Sequence, residues 1–236
     1  MRLKTFFACS IILSVAFYIE EVLAQTPFSQ QFYSQAKQDQ FTYHVLYQLL
    51  KKEDRGCYLE IGAGDPVIIN NTYFFEKDLN WTGISIDVGQ HFGSLWANIR
   101  HNIFLNEDAT QLDYELLLND FPLVIDYLSI DVDGNYDKVL QKVLDSGRFF
   151  KVITIEHDAY RYNDTYREKE RKILTSYGYR LLCPDVSSEI GIPFEDWWIH
   201  PSFFPDQVLF RLGTLDLSQK MPSQIIATLQ QICFFD

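Results

Sequence analysis

Five carboxylates recur along the chain at intervals that a repeating strand-helix unit would produce. They are Glu60, Asp87, Asp108, Asp131 and Glu156, separated by 27, 21, 23 and 25 residues. Each falls at or just past the carboxyl end of a run that reads as a β-strand. In a doubly wound parallel sheet those ends share one edge, and a ligand crevice forms where the strand order reverses. A row of acids there suits a ligand rich in hydroxyl and amino donors. The competing expectation is local, because a βα turn favours Asp as a helix N-cap.

The first of these acids opens the string "EIGAGDP", Glu60 to Pro66. Gly62 and Gly64 allow a sharp turn and a close backbone approach to a ligand. A dinucleotide loop of this kind holds a pyrophosphate on its amides and on the next helix N-terminus. Here Asp65 places a negative charge, and Pro66 a missing N–H, where a phosphate needs donors. Both oppose an anion. They are compatible with a ligand that lacks phosphate and carries a cationic centre, as S-adenosylmethionine does.

The elements that must position these residues alternate regularly. Strand-like runs are "CYLEI" (57–61), "WTGISID" (81–87), "NIFLNED" (102–108), "DYLSIDVD" (126–133), "KVITIEH" (151–157) and "YRLLC" (179–183). Helix-forming runs link them, and "SQAKQDQFTYHVLYQLLKK" precedes them as an amphipathic helix. Such alternation implies a parallel sheet wrapped by helices, and apolar strands such as "VITI" fit burial on both faces. The tail predicts one more strand, over Val208 to Arg211, and a terminal helix. "REKERK" (167–172) reads as the solvated face of a helix. Trp197-Trp198 reads as core or as a pocket wall. "SQAKQD" (34–39) reads either as a closure over the pocket or as an N-cap, Ser34, leading into a helix.

A chain of 236 residues with 47% hydrophobic content can bury one sizeable core. Its 32 acidic against 20 basic side chains give a net charge of −12, which argues against nonspecific binding to nucleic acid or anionic lipid. The N-terminus shows the order of a secretory signal: "MRLK", then a run without charge from Phe6 to Ile19, then "EEVLA". The expectation is a signal peptide or membrane anchor over 1–24 and a single domain over 25–236, placed in the secretory pathway, with a cytoplasmic location as the alternative. Cys57, Cys183 and Cys233 have no disulfide or metal spacing and read as buried hydrophobes. Sequons stand at Asn70, Asn80 and Asn163.

The strings "SQAKQDQF", "YLEIGAGD", "NTYFFEKDLNWTGISID", "DYLSIDVDG", "VITIEHD", "ILTSYGY" and "EDWW" follow in the order seen in FkbM-type methyltransferase domains. The resemblance covers about Ser34 to Pro201. It implies an α/β, Rossmann-like class I methyltransferase fold, a mostly parallel doubly wound sheet flanked by helices. It also implies S-adenosylmethionine as cofactor and O-methylation of a hydroxyl on a sugar or other small metabolite. By position, Glu60, Gly62 and Gly64 would form the cofactor loop, Asp87 would take the ribose hydroxyls and Asp108 would approach the adenine amino group. Asp131 and Asp133 would flank the reacting methyl. Asp87 stands where the family often has Glu, and so does Asp133.

Methyl transfer must align a nucleophile and often remove its proton. Asp131, Asp133, Glu156 and His157 are expected to converge on the acceptor side, with His157 or Asp133 as general base. The same four residues could hold a divalent cation, but no ligand spacing supports one, and no metal ligand is assigned. The expected partner is a small-molecule or glycan acceptor. A second class stays open: a non-catalytic secreted or anchored binding protein that keeps the fold.

Overall fold

Among the described residues seven runs are extended, six of them close to where the sequence predicts strands. They are β1 (Cys57–Ile61), β2 (Thr82–Ile86), β3 (Ile103–Leu105), β4 (Val124–Ile130), β5 (Phe149–Glu156), β6 (Arg180–Ser187) and β7 (Pro193–Ile199). The computed structural model describes residues 30–188 and 190–233, so the expected signal or anchor over 1–24 lies outside the described residues. The chain divides into Met1–Gln31 and Phe32–Asp236, and the second unit carries every element described here.

The strands form one sheet in the order β3-β2-β1-β4-β5-β7-β6. β1 to β5 pair in parallel, while β7 runs antiparallel to both β5 and β6. The order reverses between β1 and β4. This is the doubly wound, mostly parallel, Rossmann-like sheet that the sequence predicts.

Helices cover both faces, because the central strands are apolar on both sides. On one face α1 (Gln38–Tyr43), continued by a π-helical turn over His44–Leu49, packs with α2 (Tyr73–Leu79). Phe41, Val45 and Phe75 meet Trp197 and Ile199 there. α3 (Gly93–Ile99) and α4 (Tyr114–Leu117) follow β2 and β3, and Tyr114 of α4 joins the core of the opposite face. On the opposite face α5 (Tyr136–Asp145) and, beyond the short α6 (Ala159–Tyr162), α7 (Arg167–Ser176) bury Val139, Leu140 and Leu174 against Ile153 and Trp198. α8 (Asp206–Gly213) and α9 (Pro222–Cys233) close the first face through Leu212, Ile225 and Leu229. Among the described residues no helix is long and apolar enough to cross a membrane.

The tail corrects one expectation. Val208 to Arg211 lies inside helix α8, and the last strand is instead β7, "PFEDWWI". A short apolar run does not separate helix from strand by periodicity alone, and Glu195-Asp196 disguise β7 as polar. Both acids are nevertheless buried, and Trp197 and Trp198 enter the core from opposite faces. Cys57 and Cys183 are free and buried.

"REKERK" is not simply a solvated face. Arg167 and Arg171 turn inward onto Asp185 and Asp196, and Glu170 is fully buried. Neither Glu170 oxygen meets a donor among the described residues. Burial first, then the nearby charges of Asp196 and Asp137, push its carboxyl well above the usual 4.5. The folded protein therefore holds a proton that the unfolded chain releases above about pH 4.3. That contribution to stability is fully present below the unfolded pKa and is lost as pH rises towards the folded value. Glu170→Gln removes the ionisation. Its stability relative to the native protein is expected to climb between pH 5 and pH 8, by up to about 1.4 kcal/mol per pH unit, with the melting temperature following. Scanning calorimetry at three pH values measures this; a difference that stays flat with pH contradicts it.

Candidate active site

Strand register sets the polar residues in rows. Ser85, Glu60, Ser129 and Thr154 are neighbours across β2, β1, β4 and β5. Side chains two residues apart on a strand share a face, so the next positions along, Asp87, Gly62, Asp131 and Glu156, form a second row at the carboxyl edge. Glu195 on β7 stands directly opposite Glu156 and extends it. None of the five sequence-selected acids occupies a helix N-cap position on these loops; among the recorded N-caps Asp113 is the one whose side chain accepts from its helix.

Glycine at position 62 follows from the approach of β1 to β4. Its φ is +83°, and a Cβ there would lie 1.6 Å from the carbonyl oxygen of Asp131. The Gly62 and Ala63 amides both donate to the Ile86 carbonyl, and the Gly64 amide donates to Asp87. Gly64 (φ +55°) has open space at its Cβ position, so its requirement is conformational alone.

The loop beyond is fastened from inside. Asp65 accepts the amides of Val67 and Ile68, so its carboxylate takes donors that a phosphate loop would offer a ligand. Asn70 is fully buried. Its oxygen accepts the Thr72 and Tyr73 amides at 3.0 and 2.7 Å, at the start of α2. Its amide nitrogen donates to the Ala63 and Asp65 carbonyls. Glu60 is buried too, accepting from Thr72 Oγ1, Ser85 Oγ and the Asn71 amide. Glu60 therefore sits beneath the loop and ties it to the sheet.

Arg100, which the sequence reading passed over, anchors the same loop. All five of its N–H groups are used: on Glu76, on Pro66 O and Asn70 Oδ1, and on Tyr58 OH and Thr72 Oγ1.

A cleft of about 460 Å³ opens at the carboxyl edge. Gly62, Asp87, Glu107, Asp108, Asp131 and Asp133 line it, and Lys, Arg and His are absent from its lining. Asp87 Oδ1 and Oδ2 accept the Gly89 and Gly64 amides at 2.6 and 2.8 Å, which fixes the carboxylate while each oxygen keeps a second lone pair. Asp108 is exposed at the rim. Its Oδ1 accepts from the hydroxyl and amide of Thr110, which holds its pKa below the usual carboxylate range.

Asp131 and Asp133 also line a second cleft, of about 470 Å³, together with Glu156, Asp158 and Tyr160. Asp131 and Glu156 are hydrogen-bonded to each other. Burial, followed by the charge of Asp131, drives the Glu156 carboxyl far up, so this pair shares a proton across neutral pH. Burial also raises Asp131. Asp158, next to the sequence-selected residues, accepts from Tyr136 OH at 2.9 Å. Asp133 is exposed and paired with Arg161 Nη1 at 2.8 Å.

His157 does not join this group. Its ring is fully buried on the other side of the strand end, with Nδ1 accepting the Ala159 amide. Nε2 faces Asp185 and Asp196 at 3.7 and 3.8 Å, and desolvation lowers the ring's pKa. The four residues considered for a cation are thus not brought together. His157, Asp185 and Asp196 do converge within 4.8 Å. Arg167 and Arg171 already hold those carboxylates at 2.7–2.9 Å, and two guanidinium charges there oppose a divalent ion.

No protein-family model and no curated protein matches the chain. Solved structures do resemble it. One is cofactor-bound Rv0187 from MTB, 16% identical with a TM-score of 0.49 over 80% of this chain and 88% of that one. Another is the S. pombe Dnmt2 methyltransferase, 15% identical with a TM-score of 0.42 over 61% of this chain and 48% of that one, so that the chain spans about half its length. A third is the magnesium protoporphyrin IX methyltransferase from Synechocystis PCC 6803 with bound SAM, 13% identical, TM-score 0.43, over 69% and 79%.

Proposed function

We propose that the chain is an S-adenosylmethionine-dependent methyltransferase of the FkbM type, acting on a hydroxyl of a sugar or similar small molecule reached through the secretory pathway. The observation that carries this reading is that every charged side chain lining the cleft at the β1/β4 reversal is acidic. A dinucleotide or other phosphate ligand would meet Asp87, Glu107, Asp108, Asp131 and Asp133 with no basic side chain to offset them. A cationic ligand with ribose hydroxyls and an adenine amine finds acceptors throughout.

Asp87 would take the ribose hydroxyls, Asp108 the adenine amine, and the Gly62 turn would leave room for the ligand's backbone approach. When bound, the cofactor supplies a methyl made electrophilic by its sulfonium. Asp131 belongs to both clefts and so stands between donor and acceptor. The Asp131–Glu156 pair would orient the acceptor hydroxyl and take its proton at an Asp131 oxygen as the C–O bond forms and the methyl–sulfur bond breaks, with the neutral thioether as leaving group. Burial raises that carboxyl, which brings its basicity closer to the working pH of a general base.

Calorimetry with S-adenosylmethionine and S-adenosylhomocysteine tests the assignment. Both are expected to bind, and Asp87→Ala is expected to weaken both by roughly 10- to 100-fold, the scale of one charged hydrogen-bond acceptor. Binding of neither ligand by the native protein overturns the reading; unchanged affinity in Asp87→Ala removes the ribose role alone.

A further inference from the structure

The acceptor-side cleft does not end at the acids. It adjoins a third cavity of about 390 Å³, and Gln35, Ser188, Ile190 and Phe194 line both. The chemistry changes along this path. At one end stand Asp131, Glu156 and Asp158; at the other stand Ala36, Met221 and Pro222, with Lys37 and Ser223 beside them. The far wall is fixed in place, since the Ser187 amide donates to Lys220 O and the Gln219 amide to Pro184 O. The hairpin above it is closed by Ser188 N to Ile192 O at 2.8 Å, and it leaves Ile190 81% exposed beside the path. A large apolar side chain in that position gains nothing from burial in this fold.

We propose that the acceptor is an amphiphile: a neutral, hydroxyl-bearing head at the carboxylates and a hydrocarbon or aryl arm lying along Phe194, Ile190 and Met221. This rests on the methyltransferase reading for which end reacts. The shared wall places both chemistries within reach of one ligand. The carboxylates disfavour an anionic head, and Arg161, the one cation among the described residues lining the acid end, is held by Asp133.

Methyl, hexyl and octyl β-glucoside, each below its critical micelle concentration, serve as probes for the full chain by calorimetry. Affinity is expected to rise about two- to fourfold per added methylene, the range from half to full burial of the group. Ile190→Asp, an exposed substitution that leaves the core untouched, is expected to flatten that dependence, as is Met221→Ser. Octyl phosphate is expected to bind at least about tenfold more weakly than octyl glucoside, because its charge meets the acids. No chain-length dependence, or the same dependence in both variants, overturns the apolar arm. Equal binding of the phosphate overturns the neutral head. None of these probes needs a methyl donor, so a failure to bind S-adenosylmethionine leaves this outcome readable on its own.

Discussion

Arg100→Met is expected to lower the stability of the protein by about 3–5 kcal/mol, the cost of leaving a buried charge without its partner. The Arg100 side chain is 1% exposed and its Nε lies 2.5 Å from Glu76. Methionine fills most of the volume, so the loss comes from electrostatics. Glu76 would keep the Tyr58 hydroxyl and the His101 and Asn102 amides but lose its ion-pair partner. The Pro66 carbonyl, Asn70 Oδ1 and Thr72 Oγ1 would each lose a donor. At about 2–4 °C per kcal/mol for a domain of this size, the melting temperature should fall by roughly 6–20 °C. Because those acceptors fasten the loop after β1, cofactor affinity is expected to fall alongside stability. A melting temperature within about 2 °C of the native protein would show that the network is dispensable.

Much of this arrangement is legible in the residues, and the rest is hidden for definite reasons. The acids at strand ends can be found because one βα unit recurs with a nearly constant length. Gly62 announces itself by type, although the 1.6 Å clash that demands it involves Asp131, 69 positions further on. Arg100 gives no such sign, as its partners come from four separate stretches and no spacing rule joins them. β7 was concealed by two acids that are nevertheless buried, where Gln38 donates to Glu195 and Arg171 pairs with Asp196. The placement of His157 was available in principle. Along "VITIEHD" the side chains alternate, so Glu156 and Asp158 face one side and His157 the other. Reading that period one residue past the strand would have exchanged His157 for Asp158 in the acceptor group.

That exchange sets the sharpest expectation about chemistry. With an acceptor identified from a panel of glycosides, Asp131→Asn is expected to reduce turnover by about 10²–10⁴, the range for losing a general base. Cofactor affinity should change far less, since Asp87 and Asp108 are untouched. Asparagine keeps the shape and can still hydrogen-bond Glu156, but it cannot take a proton. Losing the charge of Asp131 also relieves Glu156, whose pKa should move down towards the ordinary carboxylate range. On the proposed methyltransferase reading, activity of the native protein should fall as pH drops through the raised pKa of Asp131, above the usual 3.8, because the base must be ionised. His157→Asn provides the contrast. Asparagine can replace the Nδ1 acceptor for the Ala159 amide, and the ring faces Asp185 and Asp196 and not the cleft. Turnover in that variant is expected to stay within about threefold of native, an effect under 1 kcal/mol. If His157→Asn instead abolishes turnover while Asp131→Asn does not, the proton leaves by the histidine and the assignment of the base is reversed.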